Sequence, residues 1–204
     1  MDLCGISARA SSYAKESSYN VISERKGIFE SCLNSKSKAV EQIDESDISS
    51  DRKVVGITTF PAGEGVKIGV IAYEPPESTR EDPIIQMGYT DMSGEKKIYN
   101  IHVNEVDPEN ASDLEMFAYL TYKELTGEKI PNALNNYDAY SRIKDYDGDY
   151  YRHDYINGES RFIGEKVNAK ELLDRVHAWI SQIQHPDAQM TARWCEWLQN
   201  LFEK

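Results

Sequence analysis

The stretch that decides the fold runs from Lys97 to Ala118: Lys97-Ile98-Tyr99-Asn100-Ile101-His102-Val103, then Asn104-Glu105-Val106-Asp107-Pro108-Glu109-Asn110-Ala111, then Ser112-Asp113-Leu114-Glu115-Met116-Phe117-Ala118. Its first part alternates apolar and polar residues with a period of two. Tyr99, Ile101 and Val103 share one face, as in a half-buried strand. Its last part changes period. Ser112 and Glu115 have the spacing of a capping box, and Leu114, Phe117, Ala118, Thr121 and Leu125 fall on one helical stripe. Gly127 can supply a left-handed C-terminal residue, and Pro131 blocks continuation. A helix over 111–127 follows, with Pro108 as a first-turn residue, and Phe117 should be hidden beneath it.

Upstream, the period of two extends back to Lys53. Val55, Ile57 and Thr59 alternate with Val54, Gly56 and Thr58. Val66, Ile68, Val70 and Ala72 form one face, as do Ile85, Met87 and Tyr89. Short breakers separate these runs: Pro61 to Gly65, Pro75 to Pro83, and Asp91 to Gly94. Connections this short join antiparallel neighbours, because a parallel crossover needs a dozen or more residues. The reading is an α+β fold: a four-stranded antiparallel meander over 53–104, covered by the 111–127 helix.

Downstream, Asn168 and Glu171 suggest a cap, followed by Leu172, Leu173, Val176, Ile180 and Ile183 at helical spacing. His185-Pro186 ends that helix, and Met190, Trp194, Trp197, Leu198, Leu201 and Phe202 form the apolar face of another. A joint this short makes 168–204 a C-terminal helical hairpin.

Residues 1–50 read differently. Twelve of the 18 serines lie there, so the segment is expected to be a loosely attached leader. Within it Val21, Ile22, Ile28, Phe29, Cys32, Leu33, Val40 and Ile43 suggest a helix over about 18–45, weakened by Gly27. Residues 51–204 are expected to form a single α+β domain.

The chain has 204 residues, 40% hydrophobic, and a net charge of −12; its mean hydropathy is −0.63. Of that charge, −11 belongs to residues 54–204. An acidic surface repels phosphate backbones and anionic lipid, so neither nucleic acid nor membrane is expected as a partner. The charge admits a second use, imitation of nucleic acid by an inhibitor, beside the plainer one of solubility. Met1 to Asn20 lacks the apolar core of a signal peptide, and Cys4, Cys32 and Cys195 form no paired motif. A reducing cytoplasm is expected, with signal-less export as the alternative.

The most unusual composition lies in 137–158, expected to be a polar loop or hairpin. It holds Tyr137, Tyr140, Tyr146, Tyr150, Tyr151 and Tyr155 among five aspartates. Tyrosine rings supply rigid contact area, and carboxylates accept from hydroxyls or amines, so these six tyrosines form a candidate surface for a protein or carbohydrate ligand. Asp145, Asp147 and Asp149 stand at alternate positions around Gly148, with Asp154 beyond. Hard cations take several oxygens, which makes these four the candidate Ca²⁺ ligands. The register is not that of an EF-hand, since glycine falls at position four. No other cofactor is indicated.

Nucleophile elbows, metalloprotease helices and phosphate loops are absent from the sequence. The expectation is a non-enzymatic binding or interaction protein. The alternative is a small hydrolase using His153 or His102 with a neighbouring carboxylate. Cys195 with His185 is a conceivable thiol–histidine pair, weakened by the tryptophans around the thiol.

The run Asn104 to Ala118 after a strand resembles a group of proteins of unknown function from anaerobic Gram-positive bacteria, which share a serine-rich leader, a few strands and an Asp-Pro-x-Asn-Ala helix start. The resemblance spans about 55–127. It implies a bacterial origin and carries over no catalytic residues.

Overall fold

Five strands in the order β1-β5-β4-β3-β2 make a wholly antiparallel sheet, and four helices follow them in the chain. A computed structural model describes residues 38–63, 66–147 and 164–203, and all statements here concern those residues. The strands are β1 (Val40–Gln42), β2 (Lys53–Gly63), β3 (Val66–Glu74), β4 (Ile84–Thr90) and β5 (Lys96–His102). The helices are α1 (Asp113–Leu125), α2 (Asn136–Asp145), α3 (Ala169–Ile180) and α4 (Pro186–Phe202).

β2 to β5 form the expected meander. Register puts Phe60, Ile68, Val70, Ala72, Met87, Tyr89, Tyr99 and Ile101 on one face, and all of them are buried. At the β4–β5 turn, Asp91 Oδ1 accepts from the backbone of Ser93 and Glu95 and from the Ser93 hydroxyl. Gly94 there adopts φ 86°. Desolvation pushes the Asp91 carboxyl up, but these bonds outweigh it and hold its pKa below the usual value.

α1 covers this face. The capping box is present: the Ser112 amide donates to Glu115 Oε2 at 2.6 Å, and the Glu115 amide donates to Ser112 Oγ at 3.3 Å. Leu114, Phe117, Ala118 and Thr121 are buried, and the Phe117 ring lies 6.2 Å from that of Phe60. Leu125 is exposed. Gly127 takes φ 95° just beyond the helix, as the sequence required. Pro108 is not in the first turn. It lies in a separate Asp107–Asn110 turn, and its carbonyl accepts from Ala169.

The fifth strand is the main departure. Val40–Gln42, inside the expected helix, pairs with β5 in the register Val40↔Ile101. Ala39 is buried, so residues 38–50, assigned above to the leader, contribute an edge of the sheet. β1 and β2 lie at opposite edges. The connection Ile43–Arg52 therefore spans four inter-strand spacings, about 19 Å. It crosses the face opposite α1. Ile43 N–H donates to the Ile98 carbonyl, Lys96 pairs with Glu45 at 2.5 Å, and Arg52 donates to Gln86 at 2.7 Å. The Arg52 guanidinium also sits 3.8 Å from the centre of the Tyr73 ring. Gln86 and Asn100, paired in register on this second face, are buried and joined at 3.2 Å.

α3 and α4 pack as a pair, as expected of the hairpin. Asn168 caps α3 by accepting from Glu171 at 3.0 Å, and Pro186 opens α4. Trp194 is buried and its indole N–H donates to the Pro131 carbonyl at 3.2 Å. No described helix is long and apolar enough to cross a membrane.

Candidate functional site

The tyrosine-aspartate segment begins as a helix, not as a loop or hairpin. Asn135 caps α2 by accepting from the Asp138 amide at 2.7 Å. Helical geometry then turns Tyr137, Tyr140 and Ile143 to the interior, where all three are buried. The Tyr137 ring lies 5.6 Å from Phe60 and 5.0 Å from Phe117. Burial pushes the Tyr140 hydroxyl well above the usual tyrosine range, with the Asp113 charge adding to it. Tyr137 and Tyr140 are thus core residues and cannot form part of a contact surface. Three-residue spacing of rings inside a helix, rather than two-residue spacing along a strand, is the reason.

Tyr146 behaves differently. As the C-cap of α2 it leaves the buried stripe, and 40% of it is exposed. Its ring lies 6.0 Å from that of Trp179, tilted by 48°. Trp179, in the last turn of α3, is 52% exposed. Arg175, one turn earlier on α3, bridges to Asp147 at 2.7 Å and to Glu171 at 3.1 Å. Side-chain bonding to Asp147, more than the burial that opposes it, raises the Arg175 pKa. The result is a corner of two open rings beside a guanidinium fixed by two carboxylates. Sequence reasoning missed Trp179 and Arg175. The available signal was an aromatic residue at the border of the α3 apolar stripe with an arginine four positions before it.

Of the four candidate cation ligands, Asp145 and Asp147 lie among the described residues. Asp147 is engaged by Arg175. Burial raises the Asp145 pKa, while the nearby positive charges of Lys144, Lys67 and Arg142 pull it back. A carboxylate committed to a guanidinium, as Asp147 is, makes a poor partner for Ca²⁺. Among the described residues no group of three or more His, Cys, Asp or Glu is arranged to hold a metal. Asp149, Asp154, Tyr150, Tyr151, Tyr155 and His153 lie outside the described residues.

His102 does meet carboxylates. Its Nδ1 is 3.5 Å from Asp82 Oδ1 and its Nε2 is 3.9 Å from Glu41 Oε2. Glu41 belongs to β1, so these contacts tie the edge strand to the end of β5. The thiol–histidine idea fails. His185 accepts from the Asp187 amide at 3.3 Å and caps α4, and Cys195 lies ten residues further along the chain, about 15 Å at helical rise. Burial also pushes the Cys195 thiol up to about 12.

Two ion pairs with buried carboxylates anchor the start of α1. Asp113 pairs with Lys144 at 2.5 Å, both side chains buried. Glu115, also buried, receives Lys166 on its carboxylate oxygens. The two acids stand in the first turn of α1 and Lys144 in the last turn of α2, where the helix dipoles favour each charge.

Set beside protein-family models, curated proteins and solved structures, the chain matches none of them.

Proposed function

We propose that this chain is a non-enzymatic binding protein whose contact surface centres on Tyr146, Trp179 and Arg175. The observation that carries the reading is the half-open pair of aromatic rings braced beside a doubly bridged arginine. Tryptophan, tyrosine and arginine dominate the energetics of binding interfaces. The two ion pairs hold Arg175 in place before contact, which reduces the ordering entropy lost on association. The resemblance of residues 104–118 supports a bacterial setting for this role. The His102 arrangement supports a hydrolase less well, because its carboxylates are solvent-facing, Asp82 at the outer limit of hydrogen-bond distance and Glu41 beyond it.

Affinity capture with the full chain, run in parallel with Trp179→Ala and Tyr146→Ala, tests the proposal. A recovered partner, purified and titrated, is expected to bind Trp179→Ala at least tenfold more weakly, a loss of about 1.4 kcal/mol or more. Equal binding of both variants and the parent chain, or no partner recovered by any, overturns it.

A further inference from the structure

A recess lies where the turn after α1 meets the end of α4. It measures about 300 Å³ and is lined by Gly127, Glu128, Lys129, Trp197, Asn200 and Leu201. This is the low end of small-ligand sites. Its shape follows from the chain. Gly127 turns the backbone with φ 95°, and beyond its chain neighbours no atom lies within 4 Å of the place a Cβ would take. Trp197 and Leu201 are four residues apart on α4, so they share one face and form the apolar wall. Trp194, by contrast, is buried and committed to Pro131.

The charges of the rim are already balanced. Glu128 pairs with Lys123 at 3.3 Å, and Lys129 pairs with Glu124 at 2.9 Å. A charged ligand gains little there, because each rim charge is already offset by its partner. A neutral ligand rich in hydroxyls need not: carboxylate lone pairs, ammonium protons and the Asn200 amide can accept and donate to it while the pairs persist. An indole wall opposite a polar rim suits a ring with one C–H face and hydroxyls at its edge. We infer that this recess binds a single neutral sugar unit, with the ring laid against Trp197 and its hydroxyls directed to Glu128, Lys129 and Asn200.

The site is independent of the Tyr146–Trp179 corner. Trp179 is at the joint of the helical hairpin, whereas Trp197 is eleven residues into α4, about 16 Å along its axis. The two readings therefore fail separately.

The test is an NMR titration of the full chain, following the indole N–H signals, with Trp197 assigned through Trp197→Phe. The probes are methyl β-glucopyranoside, methyl β-galactopyranoside and N-acetylglucosamine, with inorganic phosphate and free lysine as charged comparators. A saturable shift of the Trp197 indole with at least one sugar is expected, with the Trp179 indole stationary and neither comparator saturating. Asn200→Leu, at an exposed position, should weaken that binding at least tenfold. No saturable Trp197 shift with any of the three sugars, equal affinity in Asn200→Leu, or saturation by a charged comparator instead overturns the inference.

Discussion

Asp113 Oδ1 and Lys144 Nζ meet at 2.5 Å in the interior, joining the first turn of α1 to the last turn of α2. A buried pair of this kind stabilises little against an apolar pair of the same volume, but removing one member strands the other charge. Asp113→Leu and Lys144→Met should each destabilise the fold by about 3–5 kcal/mol. In a double-mutant cycle read by urea unfolding, Asp113→Leu with Lys144→Met should recover more than about 1 kcal/mol of the summed loss. Simple additivity would show that the pair does not act as a unit.

At Gly56 the side chains of α1 press against β2. A Cβ placed there would stand 3.3 Å from Phe117 Cζ and 3.4 Å from Thr121 Cγ2. Phe117 cannot retreat, because the rings of Phe60 and Tyr137 flank it. Gly56→Val, which would otherwise suit a strand, should therefore cost about 1–3 kcal/mol through overpacking. A rise in the thermal midpoint would contradict this packing.

Much of the fold was legible in the sequence because its signals are local. The period of two in β3, β4 and β5, the Ser112–Glu115 box and the Asn168 cap each need only neighbouring residues. β1 was not legible. Three residues, Val40-Glu41-Gln42, are too few to show a period, and their partner is some 60 positions away. α2 was hidden by composition, since its interior face is built from tyrosines that also suit a surface. Of the candidate site, Tyr146 was readable as an aromatic in a polar segment. Its pairing with Trp179 was not, because it arises only when α2 and α3 pack together.

Alkaline pH should weaken the fold. Burial raises the pKa of Cys195 to about 12 from 9.0 and that of Tyr119 to about 12 from 10.0, with Glu128 contributing, and it holds that of Tyr140 well above the usual tyrosine range. Each group keeps its proton in the native state at a pH where the unfolded chain releases it. The stabilisation is complete below the unfolded values and is lost as pH rises from about 9 towards 12. The urea midpoint should fall across that window, and less steeply in Cys195→Ala. A flat profile from pH 8 to 11 would exclude this burial.

Trp179 should be the most accessible of the three tryptophans to a small quencher, since half of it is exposed whereas Trp194 is buried. Acrylamide should quench a fraction of the emission that disappears in Trp179→Phe. The same substitution should leave stability within about 0.5 kcal/mol, as expected for a surface site. Unchanged quenching would place the ring in the interior.

The strap from Ile43 to Arg52 has a consequence for how the chain acquires its form. Val40–Gln42 leaves the ribosome long before Tyr99–Ile101, so at roughly 5–20 residues per second it waits several seconds without a partner. The meander of β2 to β5 can zip by successive hairpins in the meantime, whereas closure of β1 joins positions far apart in sequence and is entropically slow. The first of the described strands to be synthesised is thus expected to be the last to be seated, with the strap drawn across its face of the sheet only at that final step.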